Sequence, residues 1–293
     1  EKFPLESERG EIPNYKCFGY YGGMPKLNLK NPEVEKFFTD VACYWIKECD
    51  IDGWRMDVGD EISHYFWKNF RRAVKAVKKD MLIIGEIWHY AGDFLEGDEW
   101  DTVMNYPFYL NMIDLLADEK IHVSQFVQNL GYLKGRLNKK CYPLMWNLID
   151  SHDTARFLHL CNGNKKKQHL AAAFQLLLPG MPMIYYGDEF AMPGANDPDC
   201  RRGMYWDEEY QDKEMFAWYK QLLQVRKAHA CIAEGELTET ITSDENGTIV
   251  LIRKNGEETI ALIFNCSSTA KEFHAYAQKY NLLSQKSFDG KVE

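Results

Sequence analysis

A chain of 293 residues, 45% hydrophobic and 27% charged, has the composition of an ordinary globular protein and the length for a large core and more than one domain. Its 35 basic and 44 acidic residues leave a net charge of −9, which excludes a broad nucleic-acid surface and suits a neutral ligand. No apolar run approaches the length needed to span a bilayer, so no membrane association is expected.

Residues 1–30 read as irregular, with Pro4, Pro13, Pro25 and the Gly22-Gly23 pair. A helix then opens with Asn31 as N-cap and Pro32 at the first helical position. Val34, Phe37, Phe38, Val41 and Trp45 recur on it at helical spacing. "IDGWRMDV" follows as a short strand. Ser63 caps the next helix, which runs to about Lys79 with Phe66, Phe70, Val74 and Val77 on one face. "MLIIGEI" and "DTVMNY" read as strands, and helical patterns fill the 110s and 120s. "LMWNLID" is a strand, "KQHLAAAFQLLL" a helix whose Lys165-Lys166-Lys167 start is solvated, and "MPMIYYG" a strand. A helix over about Glu214–Ala230 ends the series. Five strand signals alternating with helices imply parallel strands joined by right-handed crossovers. Near Glu234 the texture changes. "TIVLIRK" and "TIALIFNCSS", with Asn246-Gly247 and Asn255-Gly256 at turn positions, read as antiparallel strands of a small separate domain.

The eight cysteines include no C-x-x-C pair, and Cys43 and Cys266 sit inside apolar patterns. Buried free thiols in a reducing compartment are the expectation. Neither HExxH nor another tight cluster of ligand spacing occurs, so no transition metal is expected. The chain opens at Glu1 with neither a methionine nor a targeting segment, which suggests a piece of something longer; a cytoplasmic location is the expectation that free thiols suit.

In a parallel α/β barrel the chemistry sits at the C-terminal ends of the strands. Here those ends carry Asp57, Glu86, Asn105-Tyr106 and His152-Asp153. Each acid alone could be a surface or capping residue, and His152 a core histidine; three acids from three strand ends are harder to dismiss. Arg55 lies two residues before Asp57 on the same strand face, where it favours an ionised Asp57. Glu86, between "LIIG" and "IW", is expected to be half-buried and without such an arginine beside it in sequence. Two carboxyls whose surroundings push their pKa values apart suit an acid and a nucleophile. Retaining glycoside hydrolysis requires such a pair, about 5–5.5 Å apart.

"DGWRMDV", "IIGEIWH" and "LIDSHDTARF" resemble, in order, the strand-four, strand-five and strand-seven motifs of glycoside hydrolase family thirteen, the α-amylase family. "MPKLN" at Met24–Asn28, "MNYPF" at Met104–Phe108 and "GANDPDCRRGMYW" at Gly194–Trp206 resemble its neopullulanase, cyclomaltodextrinase and maltogenic amylase branch. The resemblance implies Asp57 as nucleophile, Glu86 as general acid/base, and Asp153 as the acid that holds the hydroxyls of the distorted sugar. It places Arg55, His152 and Arg156 near that sugar, and Glu61, Trp88 and His89 on the acceptor side. Packing around the site is the alternative for Trp88 and His89. The family's usual Asn before Glu61 is Asp60 here, which leaves acceptor preference open.

The implied substrate is an α-1,4-linked glucan, a maltooligosaccharide or a cyclomaltodextrin. Transglycosylation through the same intermediate, and a binding fragment without turnover, are the rival readings. No redox or nucleotide cofactor is implied; calcium is compatible with the family, but no motif for it is present. The family's D-x-x-x-N-H motif of strand three is absent. The implied fold is therefore a partial TIM (β/α)8 barrel, strands four to eight, followed by a small antiparallel β domain. Residues 1–30 would be a remnant of the loop domain after strand three, residues 31–232 the barrel part, and residues 233–293 the β domain. Five strands cannot close an eight-stranded barrel, so a second copy or a missing N-terminal half is the expected partner.

Overall fold

The computed structural model describes residues 6–7, 10–11, 14–276 and 279–292. Pro4 and Pro13 of the irregular stretch lie outside the described residues. Two compact units form: Glu1–Ile87 with Asp93–Thr102, and Trp88–Gly92 with Val103–Glu293.

The first unit starts with a two-residue ladder, β1 (Glu6–Ser7) against β2 (Gly10–Glu11). Helix α1 (Pro32–Cys49) begins where the Asn31 side chain accepts from Glu33 N at 2.9 Å, and ends on Asp50 in the left-handed region. Strand β3 (Gly53–Met56) leads to α2 (His64–Val77), whose Ser63 cap accepts from Phe66 N. Strand β4 (Leu82–Gly85) lies parallel to β3, with Arg55 opposite Ile84 and Met56 opposite Gly85. Thr102, the first residue of β5 (Thr102–Val103), closes the unit. Phe66, Phe70 and Val74 are buried as their periodicity implies, but Val77 is exposed. On α1 the buried residues are Ala42 and Ile46, whereas Phe37 and Trp45 of the expected apolar face are 62% and 45% exposed. Periodicity marks a stripe that needs cover; among the described residues that cover does not reach those two rings.

In the second unit, Asn105 caps α3 (Tyr106–Met112) by accepting from Phe108 N. Helix α4 (Val123–Arg136) has no cap from its own His122. Asp244 supplies one instead: its carboxylate accepts from Ser124 N at 2.9 Å and Ser124 Oγ at 2.6 Å. These bonds hold the Asp244 carboxyl below its usual range. Strands β6 (Trp146–Asn147) and β7 (Met181–Pro182) pair in parallel, joined through α5 (Phe157–Leu160) and α6 (Lys165–Leu177). Helices α7 (Lys213–Ala228) and α8 (Ala230–Glu234) lead into the antiparallel sheet of β8 (Glu236–Ser243), β9 (Thr248–Asn255) and β10 (Glu258–Asn265), in the order β10-β9-β8. Asn255-Gly256 turns β9 into β10 with Gly256 at φ 57°.

One core runs beneath these helices and that sheet; the Phe174 ring of α6 stacks on Phe264 of β10 at 4.1 Å. Two arginines, the partly buried Arg226 and the buried Arg253, satisfy carbonyls at helix C-terminal ends. Arg226 donates to the carbonyls of Leu176, Leu178 and Gly180 past α6. Arg253 donates to Cys231, Ala233 and Gly235 around the end of α8. The eight thiols are free. Cys141, Cys161, Cys200 and Cys231 are buried, but Cys43 and Cys266 are only partly so, because an apolar pattern on one face does not guarantee a partner over every position.

Candidate active site

The register of β3 and β4 builds the acid pair. Paired residues on parallel strands share a face, so Arg55 and Ile84 point the same way, and so do Asp57 and Glu86 two residues on. The ladder continues past both strands: Glu86 N donates to Met56 O at 2.8 Å, and Gly59 N to Glu86 O at 3.1 Å. Arg55 therefore reaches both carboxyls. Its Nη1 lies 2.5 Å from Asp57 Oδ1 and its Nη2 3.1 Å from Glu86 Oε1. Glu86 has no arginine beside it in sequence, yet this bridge brings it Arg55 in space. Strand pairing supplies to Glu86 the neighbour that chain order does not. What separates the acids is burial: the Asp57 side chain is 74% exposed and that of Glu86 6%, so Glu86 is buried rather than half-buried.

Two features fix this pair. Val58 has φ 48°, a left-handed conformation that is costly for a β-branched residue, and there its N–H donates to Glu86 Oε2 at 2.8 Å. The buried Trp100 indole presses on Gly59 and Gly85; a Cβ on Gly85 would sit 2.2 Å from Trp100 Cε3. Phe94 stacks on that indole at 4.2 Å and holds it flat. Gly85, beside Glu86, and Gly59, two residues past Asp57, let the wedge approach closely.

His152 and Asp153 belong to the second unit, on a turn after β6. His152 Nε2 is 3.1 Å from Asp153 Oδ2, and Arg201 Nη2 is 3.1 Å from Asp153 Oδ1. Arg201 Nε also donates to His152 O at 2.9 Å. Arg201 was not singled out from sequence, yet it lies inside the "GANDPDCRRGMYW" stretch, so a signal existed. Arg156, expected near the sugar, is instead fully buried: Nη1 donates to Tyr186 O at 2.8 Å and to Asp188 Oδ1 at 3.2 Å. Its guanidinium also lies over the Tyr185 and Tyr186 rings. A side chain with no exposed surface holds the turn and touches no ligand. The reason is its place at the foot of the turn, where α5 begins.

Glu61 pairs with Lys26 of "MPKLN", so two stretches noted separately meet. Trp88 is 41% exposed and stacks on Tyr106 at 4.0 Å. His89 is exposed, with Nδ1 3.2 Å from Tyr90 O. Among the described residues no three His, Cys, Asp or Glu side chains converge as metal ligands, and no helix is long and apolar enough to cross a membrane.

The alpha amylase catalytic-domain family matches residues 11–211. A cyclomaltodextrinase of Geobacillus thermopakistaniensis is 44% identical over 271 residues, covering 92% of this chain and 46% of that protein. The intracellular maltogenic amylase of Bacillus subtilis is 43% identical, covering 86% of this chain and 43% of that protein. A solved cyclomaltodextrinase structure superposes with a TM-score of 0.86 at 40% identity, covering 92% of this chain and 46% of that one. The chain spans about half the length of these relatives. With the acid pair, its strand register and the catalytic-domain match in agreement, the chain belongs to the alpha-amylase family of glycosidases.

Proposed function

We propose that this chain carries the acids of a retaining glycosidase acting on α-1,4-linked glucans, maltooligosaccharides or cyclomaltodextrins. The carrying observation is the Arg55 guanidinium shared between an exposed Asp57 and a buried Glu86 at adjacent strand ends. In this reading Asp57, exposed and paired with Arg55, attacks the anomeric carbon and forms a glycosyl ester. Glu86, held by Val58 N and Arg55, gives its proton to the leaving oxygen and then takes one from the attacking water. Asp153, with His152 and Arg201 about it, binds hydroxyls of the distorted sugar. Arg55 and His152 orient these groups, and Glu61, Trp88 and His89 line the acceptor side. No cofactor takes part.

Within the same proposal, residues 31–232 are strands four to eight of a (β/α)8 barrel, residues 1–30 a remnant of an inserted loop domain, and residues 233–293 a β domain. The exposed Phe37 and Trp45 on α1 and the span of about half the relatives' length support completion of the barrel by an N-terminal half or a second copy. A cytoplasmic location is supported by the name of the Bacillus subtilis relative.

The test is product analysis on maltotriose and β-cyclodextrin, for this chain alone and with the N-terminal half of a relative added. We expect turnover only in the combined sample, with the α-anomer as first product by NMR. A β-anomer overturns retention. Longer oligosaccharides in place of glucose and maltose favour transfer over hydrolysis. Full turnover by the chain alone overturns the completed-barrel reading.

A further inference from the structure

On α2, His64, Lys68, Arg71 and Lys75 recur at helical spacing and form one stripe. The segment that meets the stripe, residues 98–101, is acidic and belongs to the same unit. Lys68 Nζ lies 2.7 Å from Asp98 Oδ2. Arg71 Nη1 donates to Glu99 O at 3.1 Å and to Asp101 Oδ1 at 2.7 Å, and Lys75 Nζ to Asp101 Oδ2 at 3.0 Å. His64 heads the stripe and holds Glu99: its Nδ1 is 2.9 Å from both Oε1 and Oε2. A carboxylate oxygen only accepts, so Nδ1 is the donor. The His64 side chain is 52% exposed and that of Glu99 2%. Burial pushes the Glu99 carboxyl up, and the His64 bond draws it part of the way back. Lys68 Nζ stands farther off, 3.8 Å from Glu99 Oε1.

A stack of three rings runs from this pair towards the acids. His64 lies on Phe94 at 4.4 Å, and Phe94 on Trp100 at 4.2 Å. The Trp100 indole ends against both glycines; a Cβ on Gly59 would sit 2.5 Å from its Cζ2. Trp67, three residues past His64, donates from Nε1 to Gly59 O at 2.8 Å. Gly59 N and Val58 N in turn hold Glu86, the first on its carbonyl at 3.1 Å and the second on Oε2 at 2.8 Å.

We propose that His64 is a positioning residue for the acid pair: through Glu99 and the ring stack it clamps Trp100 against Gly59 and Gly85, and so sets where Glu86 stands relative to Asp57. The clamp stands on geometry; its effect on turnover rests on the functional reading above. A retaining mechanism needs its two carboxyls at a fixed separation, and a misplacement of about 1 Å costs on the order of 100-fold in rate. The Val58 and Gly59 amides report that placement directly, because Glu86 is their acceptor.

Asparagine puts a donor where His64 Nδ1 stands, whereas alanine removes it. In the chain itself we expect His64→Ala to speed hydrogen exchange at the Val58 and Gly59 amides about tenfold while the amides of α1 keep their protection. His64→Asn should stay within about threefold of the parent at both amides. Trp100→Leu removes the wedge and keeps His64 and Glu99, and it should speed the same two amides; parent rates there overturn the route through Trp100. In the active assembly, His64→Ala should lose about tenfold in kcat with KM within about twofold, and His64→Asn should keep kcat within about threefold. Unchanged exchange at Val58 and Gly59 in His64→Ala overturns the clamp. So does an equal loss of protection throughout the first unit, which marks a residue that serves stability alone. Equal losses in His64→Ala and His64→Asn overturn the Nδ1 bond as the link. Absence of turnover from every sample, the parent included, overturns the functional reading, and the exchange rates still decide the clamp.

Discussion

The two units use the same materials, aspartate, glutamate and arginine, at opposite degrees of burial. In the first, Arg55 bridges one acid in water and one in the protein, and the asymmetry of burial distinguishes the partners. In the second, Asp150 and Asp188 are both buried, and the buried Arg156 pairs with Asp188. A third arrangement, Arg201 with the partly exposed Asp153 and with Asp197, resembles neither. An arginine beside an acid thus says little by itself. The solvent around each member decides how strongly its charge is screened.

The largest effects should come from breaking the asymmetric pair in the assembled enzyme. Asp57→Asn should lower turnover by on the order of 10⁴-fold or more, with substrate binding retained by calorimetry. Glu86→Gln should lose about 10²- to 10⁴-fold on natural glucans and regain much of it on a substrate whose leaving group needs no proton. Equal losses on both substrates would remove Glu86 as the acid. Next, Arg55→Lys should cost about 10- to 100-fold in kcat, because an ammonium is a point charge and cannot bridge two carboxyls as a planar fork does. Arg201→Lys, at a half-exposed site, should cost less, and the ratio of the two losses measures the value of the bridge. Gly85→Ala should lower stability by about 1–3 kcal/mol through the clash with Trp100, read as a denaturation midpoint. The smallest effect is in thiol chemistry. Burial pushes the Cys161 thiol up to about 11, so it should label only after unfolding, while the exposed Cys49 labels first. Labelling of both at one rate would contradict the burial of Cys161.

Much of this was legible where the signal is local. Asn31 and Ser63 announce their helices because a cap acts within three residues. The alternation of helices and strands follows from runs a few residues long. The acids Asp57 and Glu86 were legible because polar groups ending apolar strands are conspicuous. Their common arginine was not, since the register Arg55–Ile84 belongs to the pairing of two segments and to neither alone. Arg201 meets Asp153 from 48 residues away, and Arg156 meets Asp188 from 32, distances over which chain order carries no geometric information. The exposed Phe37 and Trp45 show the converse: periodicity tells which face wants cover, and only the neighbours tell whether it has it.

The cap that Asp244 lends to α4 joins segments 120 residues apart. Because Asp244 in the β8–β9 turn satisfies the Ser124 amide at the start of α4, opening that turn exposes this amide to exchange with water. Hydrogen exchange should find the first turn of α4 and residues 243–247 opening together, in one cooperative unit that chain order does not suggest. Asp244→Ala should release the helix start to fast exchange while leaving the protection of α6 unchanged. The C-terminal sheet then acts as a clasp on the helical layer, and the two lose their structure as neighbours in energy as well as in space.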